Sequence, residues 1–367
     1  MRQALFWGCL AALAMTSCSN DDVIETNYGN AIGFRTAMAT RATETNNANL
    51  TSFFVTALNG DETYFSNLEF TKGEDNFFTS TDKYYYPGDQ SKLQFYAYAP
   101  SATAMGATLN ISGTEKKMTG FSPNSDISRQ VDFITAVAVG DCHNNGYSGV
   151  ELEFSHRLAQ IEIKCKSANP SYDFEVKGVR LAQIGSMGDF NFIDNTWTLT
   201  EGQLASYEKT FDTPVKLTAD AVSLTGGDNA MLIPQQLTPW DISEQENNSN
   251  GAYIAVLVKI TTKAGARVYP FPSDAGNTTG YAWAAIPVNT LWEAGNKYVY
   301  TLDFSTGAGY ADPTEPYMPG IIIFNGAIKF TVNVNDWTDA PLDNTDMPIE
   351  EGDDMNPDDN DVEDPFA

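Results

Sequence analysis

Basic residues are scarce in this chain. Its 367 residues include 21 Lys and Arg against 48 Asp and Glu, which gives a formal net charge of −27 at pH 7. A chain of this charge repels phosphate backbones and anionic lipid headgroups, so nucleic acid is excluded as a partner. Part of the excess is local, because the sequence from Asp339 onward has no Lys or Arg. The folded body is therefore less acidic than the whole chain.

Histidine is scarcer still, and the two histidines leave little room for catalysis. His156 alternates in phase with the apolar residues of its segment, which is typical of a core histidine with one backbone partner. A zinc site built from His143, His156, Cys142 and Cys165 lacks the short paired spacing of known zinc motifs. Phosphate-loop, dinucleotide, Gly-x-Ser-x-Gly and His-Glu-x-x-His motifs are absent as well. The sequence therefore predicts no enzymatic activity, no cofactor and no metal.

Long apolar runs are also missing. The run at residues 4–15 is shorter than the roughly 20 residues that a membrane-spanning helix needs. Arg2 precedes it and Met-Thr-Ser-Cys follows it, which is the order of a secretory signal peptide. This end resembles a lipobox, so we expect removal of residues 1–17 and lipidation of Cys18, with the lipid as the only membrane contact. The alternative is an ordinary secretory peptide with a chance cysteine.

Cysteine is too rare outside this export segment to form a disulfide framework, because only Cys142 and Cys165 remain. Cys165 alternates in phase with Ile161 and Ile163, which predicts a buried free thiol. A bridge to Cys142 is the alternative, and it would require the loop at residues 140–143 to fold back over that strand.

What the sequence has in abundance is alternation of apolar and polar residues, with no long stretch of helical period after the signal. Clear examples are residues 93–99, 130–137, 298–304 and 328–334. Residues 253–258 are apolar on both faces, as in a central strand. The pattern predicts an all-β fold of packed antiparallel sheets.

One segment breaks its own alternation. Leu152 and Phe154 share a face at even positions, whereas Ile161 and Ile163 share a face at odd positions. We therefore expect a β-bulge or a tight kink near residues 158–160. A Ser-Ala-Asn-Pro-Ser break follows at residues 167–171 and suggests a domain boundary.

Five segments follow from these signals. They are a signal peptide at 1–17, a segment up to the polar link at 18–41, an N-terminal β-sandwich at 42–168, a C-terminal β-sandwich at 169–342 and a flexible acidic tail at 343–367. A small, polar link at residues 42–49 should be open to proteases because its composition cannot bury a core.

Seven short motifs occur in order along most of the chain. They are MTSCSNDD at 15–22, YYYP at 84–87, LQFYAYAP at 93–100, LEFSHRLAQI at 152–161, MLIPQQL at 231–237, LWEAGNKYVY at 291–300 and IKFTVNVNDW at 328–337. Together they resemble the fimbrillin family of type V pilus subunits, in particular its minor-fimbrillin-like branch. The resemblance implies two transthyretin-like β-sandwich domains without enzymatic activity.

The resemblance also implies a route of assembly. A lipoprotein precursor reaches the surface of the outer membrane, an arginine-specific surface protease removes an N-terminal strand, and a strand of another fimbrillin subunit fills the groove in the fimbrium. Arg41, just before the polar link, is the matching arginine, and Arg35 is the alternative. The resemblance thus makes residues 18–41 a pro-segment, and its removable strand carries the apolar residues Ile32, Phe34 and Met38.

Strand addition also makes physical sense without the family, because a sandwich that loses a strand exposes backbone groups beside an apolar groove. The candidate donor strand has one apolar face, formed by Ile328, Phe330, Val332 and Val334. The alternative is that this segment is an ordinary edge strand of its own domain. The function expected is that of a structural, adhesive pilus subunit with a host or bacterial surface ligand.

A competing hypothesis is a monomeric surface lipoprotein that binds a host or dietary glycan. Its ligand contacts would be exposed aromatic residues, with Trp197, Trp240 and Trp283 as the candidates.

Overall fold

Strands dominate the computed structural model, which describes residues 31–38, 49–73, 77–243, 251–326 and 328–337. Helical structure in these residues consists of α1 (Ala102–Met105), α2 (Cys142–Asn145) and a 3₁₀ turn at Ile127–Arg129. No helix in these ranges is both long enough and apolar enough to span a membrane. The predicted all-β fold is confirmed.

The described residues form 22 strands. In chain order these are β1 (Phe34–Met38), β2 (Ser52–Asn59), β3 (Glu62–Lys72), β4 (Phe78–Thr79), β5 (Leu93–Ala99), β6 (Thr108–Ile111), β7 (Lys116–Phe121), β8 (Ile134–Gly140), β9 (Val150–His156), β10 (Ala159–Lys166), β11 (Tyr172–Gly185), β12 (Gly188–Asn191), β13 (Thr196–Leu199), β14 (Leu204–Lys216), β15 (Val222–Ser223), β16 (Ala230–Leu232), β17 (Tyr253–Thr262), β18 (Arg267–Tyr269), β19 (Ala282–Pro287), β20 (Asn296–Asp303), β21 (Tyr310–Ala311) and β22 (Lys329–Asp336).

The N-terminal half is one closed sheet of seven strands in the order β1-β4-β3-β2-β5-β8-β9. The ends of this order meet because β1 pairs with β9 in parallel, whereas the other pairs of the closed sheet are antiparallel. Alternate residues of these strands point inward and pack into one core that is rich in phenylalanine. Strand pairing thus runs continuously around this half.

The C-terminal half packs two sheets face to face. One, the β10 sheet, has the order β15-β10-β20-β22, with β16 also paired to β10. The other, the β17 sheet, has the order β14-β11-β17-β19-β21, with β18 also paired to β17. The core between them takes its side chains from both sheets, including Ile163, Tyr300, Val179 and Val256.

A fourth sheet joins the two halves. This bridging sheet has the order β13-β12-β7-β6, so it pairs strands from before and after the middle of the chain. A buried cluster beneath it mixes Tyr98 and Phe133 with Phe190, Ile233 and Trp337. The seam between the halves is therefore a packed core in its own right.

The change of phase near residue 158 marks a passage between sheets. β9 ends at His156 in the closed sheet, and β10 begins at Ala159 in the β10 sheet, where it pairs with β15, β16 and β20. The apolar face has to reset because the two strands bury their side chains in different cores. The division at 168/169 stays a prediction, while the change of pairing partners falls at residues 157–158.

The two body cysteines are unpaired. Cys165 lies on β10 inside the C-terminal core, where burial raises the pKa of its thiol, and Cys142 begins α2 beside the closed sheet. The prediction of a buried free thiol at Cys165 agrees with this placement, and the alternative of a bridge to Cys142 does not.

Candidate functional site

β1 fills the place in the closed sheet between β9 and β4. It runs parallel to β9 in an unbroken register from Phe34 opposite Val150 to Met38 opposite Phe154. On its other side only one pair is made, between Phe34 and Phe78 of the two-residue strand β4. The strand is thus held along one edge and almost free along the other.

Phe34 anchors β1 in the core. Its side chain is fully buried, and its ring centroid lies 4.7 Å from that of Phe70, 5.1 Å from that of Phe95 and 5.9 Å from that of Phe53, all edge to face. Ile32 is buried as well, and its backbone N–H donates to the carbonyl oxygen of Tyr84. Loss of β1 would open an apolar cavity lined by these phenyl rings.

Gly33 lies between the two anchors, and the structure explains why it is glycine. A Cβ at this position would lie 2.2 Å from Cε1 of Phe77, which no real contact allows. The same ring also approaches Gly149, whose φ is +74°. The next residue, Val150, donates its N–H to the carbonyl oxygen of Gly33. Two glycines therefore let Phe77 cover the start of β1.

The candidate processing residues differ in their surroundings. Arg35 has an exposed side chain, 5.9 Å from the Phe77 ring, but its backbone lies in the ladder opposite Glu151. A protease needs an accessible, unpaired backbone, so Arg35 is a poor site in the folded chain. Arg41 and Cys18 lie outside the described residues.

The candidate donor segment forms β22, at the edge of the β10 sheet. It pairs with β20 over eight positions, and no described residue pairs with its outer edge. Its apolar face is unevenly buried, because Ile328 is buried whereas Phe330 is 38% exposed and Val334 is 53% exposed. Val332 is partly buried against the C-terminal core. β22 thus occupies an edge of its own domain and leaves much of its apolar face uncovered.

His156 lies in the seam between the halves. Its Nδ1 is 2.8 Å from Oδ2 of Asp132, and its ring stacks on that of Trp337 at 4.2 Å. Its partner is thus a buried carboxylate, where a backbone group was predicted, because the seam brings residue 132 onto the end of β9. His143 is exposed and lies on α2, 13 residues before His156 in the chain.

The three candidate tryptophans have different environments. Trp240 is buried, so its prediction as an exposed ligand contact is wrong, because the loop that carries it folds onto the outer face of the β17 sheet. Trp197 packs in the seam and donates its indole N–H to the carbonyl oxygen of Arg157. Trp283 is half-buried beside a surface cavity. Only Trp283 is placed where a ligand could meet it.

The sequence did not indicate which strands, β9 and β4, lie on either side of β1. The alternating residues of β9 show that it is a strand, but nothing local shows that it pairs in parallel with β1. β4 was missed for a different reason, since two residues are too few to carry a pattern. The Ile-Gly-Phe order at residues 32–34 was the one available signal, because a glycine inside a strand often marks a close approach.

The chain resembles a solved structure in its fold and matches a family model in its sequence. A fimbrial protein from Bacteroides vulgatus has the same fold, with a TM-score of 0.54, 18% identity, and coverage of 84% of this chain and all of that one. A candidate cell adhesion protein from Bacteroides uniformis gives a TM-score of 0.48 and 18% identity, covering 84% of this chain and 98% of that one. No curated protein matches. The fimbrillin-like family model matches residues 40–337, and the chain therefore belongs to the fimbrillin-like family.

Proposed function

We propose that the chain is a structural, adhesive subunit of a cell-surface pilus that assembles by strand exchange after proteolysis. The observation that supports this most is β1 itself. The short segment β1 supplies the central ring of a closed core, yet it pairs along its length only with β9 and makes a single pair with β4. Such a strand completes the fold of a precursor and can be exchanged without dismantling the other sheets.

The energetics make cleavage a natural trigger. Burial of Ile32 and Phe34 contributes about 1.5–3 kcal/mol for each side chain, and the ladder to β9 adds about 1 kcal/mol for each hydrogen bond. While β1 is covalently attached, it competes with any incoming strand at a very high effective concentration. Once the chain is cut after β1, that advantage is lost, and a strand of another subunit can compete with β1 for the same place beside β9.

The segment at residues 328–334 shares the apolar spacing of β1 but not its glycine. Its Ile-x-Phe order at 328–330 repeats that of 32–34, so Phe330 would take the place of Phe34. The exchange would gain apolar burial, because Phe330 is 38% exposed at the edge of its own sheet and Phe34 is fully buried in the groove. Lys329 would stand at the position of Gly33, so Phe77 would have to swing away.

Delivery to the surface rests on the N-terminal sequence. Cys18 follows a short apolar segment and small residues, so a lipid there would carry the folded precursor to the outer membrane. Cleavage after Arg41 would remove the lipid together with β1. The subunit would then be held in the fimbrium by the strand that it receives.

The test uses a trypsin-like protease on the purified chain and on two variants, Arg41→Ala and Arg35→Ala. We expect the wild type and Arg35→Ala to be cut before Ala42 and to form multimers, and Arg41→Ala to resist cleavage there and to remain monomeric. N-terminal sequencing identifies the cut, and light scattering measures the size. Multimers of uncut Arg41→Ala, or cut wild-type chains that never multimerise with partner subunits present, would refute the proposal.

A further inference from the structure

A cavity of about 560 Å³ lies on the outer face of the β17 sheet. It is on the opposite side of the sheet from the C-terminal core, since Leu257 lines it while the neighbouring Val256 and Val258 point into the core. Its rim is formed by the middle of β14, at residues 210–212, and by the loops around residues 277–281 and 315. Its volume is in the range of small-molecule sites, which is about 300–1,000 Å³.

Aromatic side chains form one wall, and the structure holds them in place. The guanidinium carbon of Arg180 lies 4.1 Å from the ring centroid of Trp283, and the Trp283 backbone N–H donates to Oε1 of Glu315. The Tyr281 hydroxyl donates to Oε2 of Glu175 at 3.1 Å. These contacts make the wall a rigid platform, which lowers the entropic cost of binding.

Polar groups line the other walls, and several have free bonding capacity. Asp212 makes no hydrogen bond or ion pair with the part of the chain that the structure describes, and its side chain is exposed. Lys177 makes no ion pair within the same residues, and its ammonium lies 5.7 Å from the Tyr281 ring centroid. Lys177 is turned to this face because it is the extra residue of a β-bulge between Val176 and Gly178.

We propose that this cavity binds an uncharged pyranose unit of a glycan. A pyranose has an apolar face of C–H groups, which packs on aromatic rings, and hydroxyl groups on its rim that both donate and accept hydrogen bonds. Carboxylate, ammonium and hydroxyl groups around one aromatic wall match that distribution. Asp212 and Glu315 outweigh the single cation Lys177, so the cavity disfavours an anionic sugar.

Glu315 adds a second, half-buried carboxyl group to the cavity. Burial raises the pKa of this carboxyl, and the nearby Asp312 acts in the same direction. The cavity thus has an exposed carboxyl group at Asp212 and a half-buried one at Glu315, and the oxygen atoms of both can bind hydroxyl groups. The inference rests on the proposed adhesive role, for which it names the class of ligand.

The experiment measures binding of the purified full chain to immobilised neutral oligosaccharides of hexose and N-acetylhexosamine, with sialylated and uronate-containing ones for comparison. We expect Trp283→Ala to weaken binding of neutral glycans about tenfold, and Asp212→Asn about threefold. Asp220→Asn, an exposed carboxylate outside the cavity, is the matched control and should bind like the wild type. Lys177→Met removes a hydrogen-bond donor of the cavity and should weaken neutral-glycan binding without making acidic glycans preferred.

Three results would overturn the inference. They are no binding of any neutral glycan, binding that both Trp283→Ala and Asp212→Asn leave unchanged, and selective binding of acidic glycans that Lys177→Met abolishes. Asp212→Asn covers the case in which Trp283→Ala does not fold, because Asp212 has no partner to lose. Protease-triggered multimerisation of the same variants is measured in parallel. If only the glycan inference is wrong, the wild type still multimerises after cleavage. If the proposed pilus function is wrong, the wild type does not multimerise.

Discussion

Replacement of Phe34 by alanine tests how strongly β1 is held. The ring is fully buried and contacts three other phenyl rings edge to face, at centroid distances of 4.7–5.9 Å. Truncation of such a ring costs about 3–5 kcal/mol, from lost transfer free energy and the cavity that remains. That is a large part of what holds β1 in the sheet, so Phe34→Ala should loosen β1 even without cleavage.

Amide hydrogen exchange of β9 is the right assay, because the described residues of the N-terminal half contain no tryptophan to report its unfolding. In Phe34→Ala the peptide covering β9 should lose protection by about 3 kcal/mol or more, while peptides from β17 stay protected. Phe330→Ala is the matched control, because its ring is 38% exposed and should cost less than about 2 kcal/mol. Equal, small effects of the two variants on β9 would refute the reasoning.

Three further predictions concern single residues. Gly33→Ala should loosen β1 by about 1–3 kcal/mol in the same exchange assay, because the added Cβ would lie 2.2 Å from a phenyl carbon, whereas Gly227→Ala, with nothing within 4 Å, should not. Burial acts to raise the pKa of Glu162, but two lysine ammonium groups at 2.9 Å and 3.6 Å outweigh it and lower the pKa. The contribution of Glu162 to stability is therefore present above the unfolded pKa of about 4.3 and is lost as pH falls through the folded pKa. The free energy of unfolding should accordingly fall less between pH 7 and pH 3 in Glu162→Gln than in the wild type. Thiol labelling followed by peptide mapping should modify Cys142 in the native chain and Cys165 only after denaturation, since Cys165 is fully buried; labelling of native Cys165 at a similar rate would contradict its placement.

Local patterns predicted single strands well and pairing poorly. β5 is found at residues 93–99, where alternation predicted it, because side-chain alternation is encoded in consecutive residues. The parallel pairing of β1 with β9 depends on residues far apart in sequence, and no short window contains both. The bridging sheet escaped prediction for the same reason, since β7 and β12 come from different halves.

The candidate site shows the same limit at the level of side chains. Phe34 was named from sequence as an apolar residue of its strand, but its three ring partners come from β2, β3 and β5. Trp240 and Trp283 look alike in sequence, yet one is buried under its loop and the other lines a cavity. The face of a residue is a local property, whereas exposure depends on which loop covers that face.

The stoichiometry of residues 18–41 in assembled multimers tests strand exchange most directly. Multimers formed after cleavage near Arg41 are purified, and mass spectrometry measures the retained N-terminal peptide while hydrogen exchange measures the protection of β9. The account predicts that the peptide is lost and that β9 stays protected, because another strand lies beside it. Multimers that retain one N-terminal peptide for each subunit would contradict it, since β1 would then still occupy the groove.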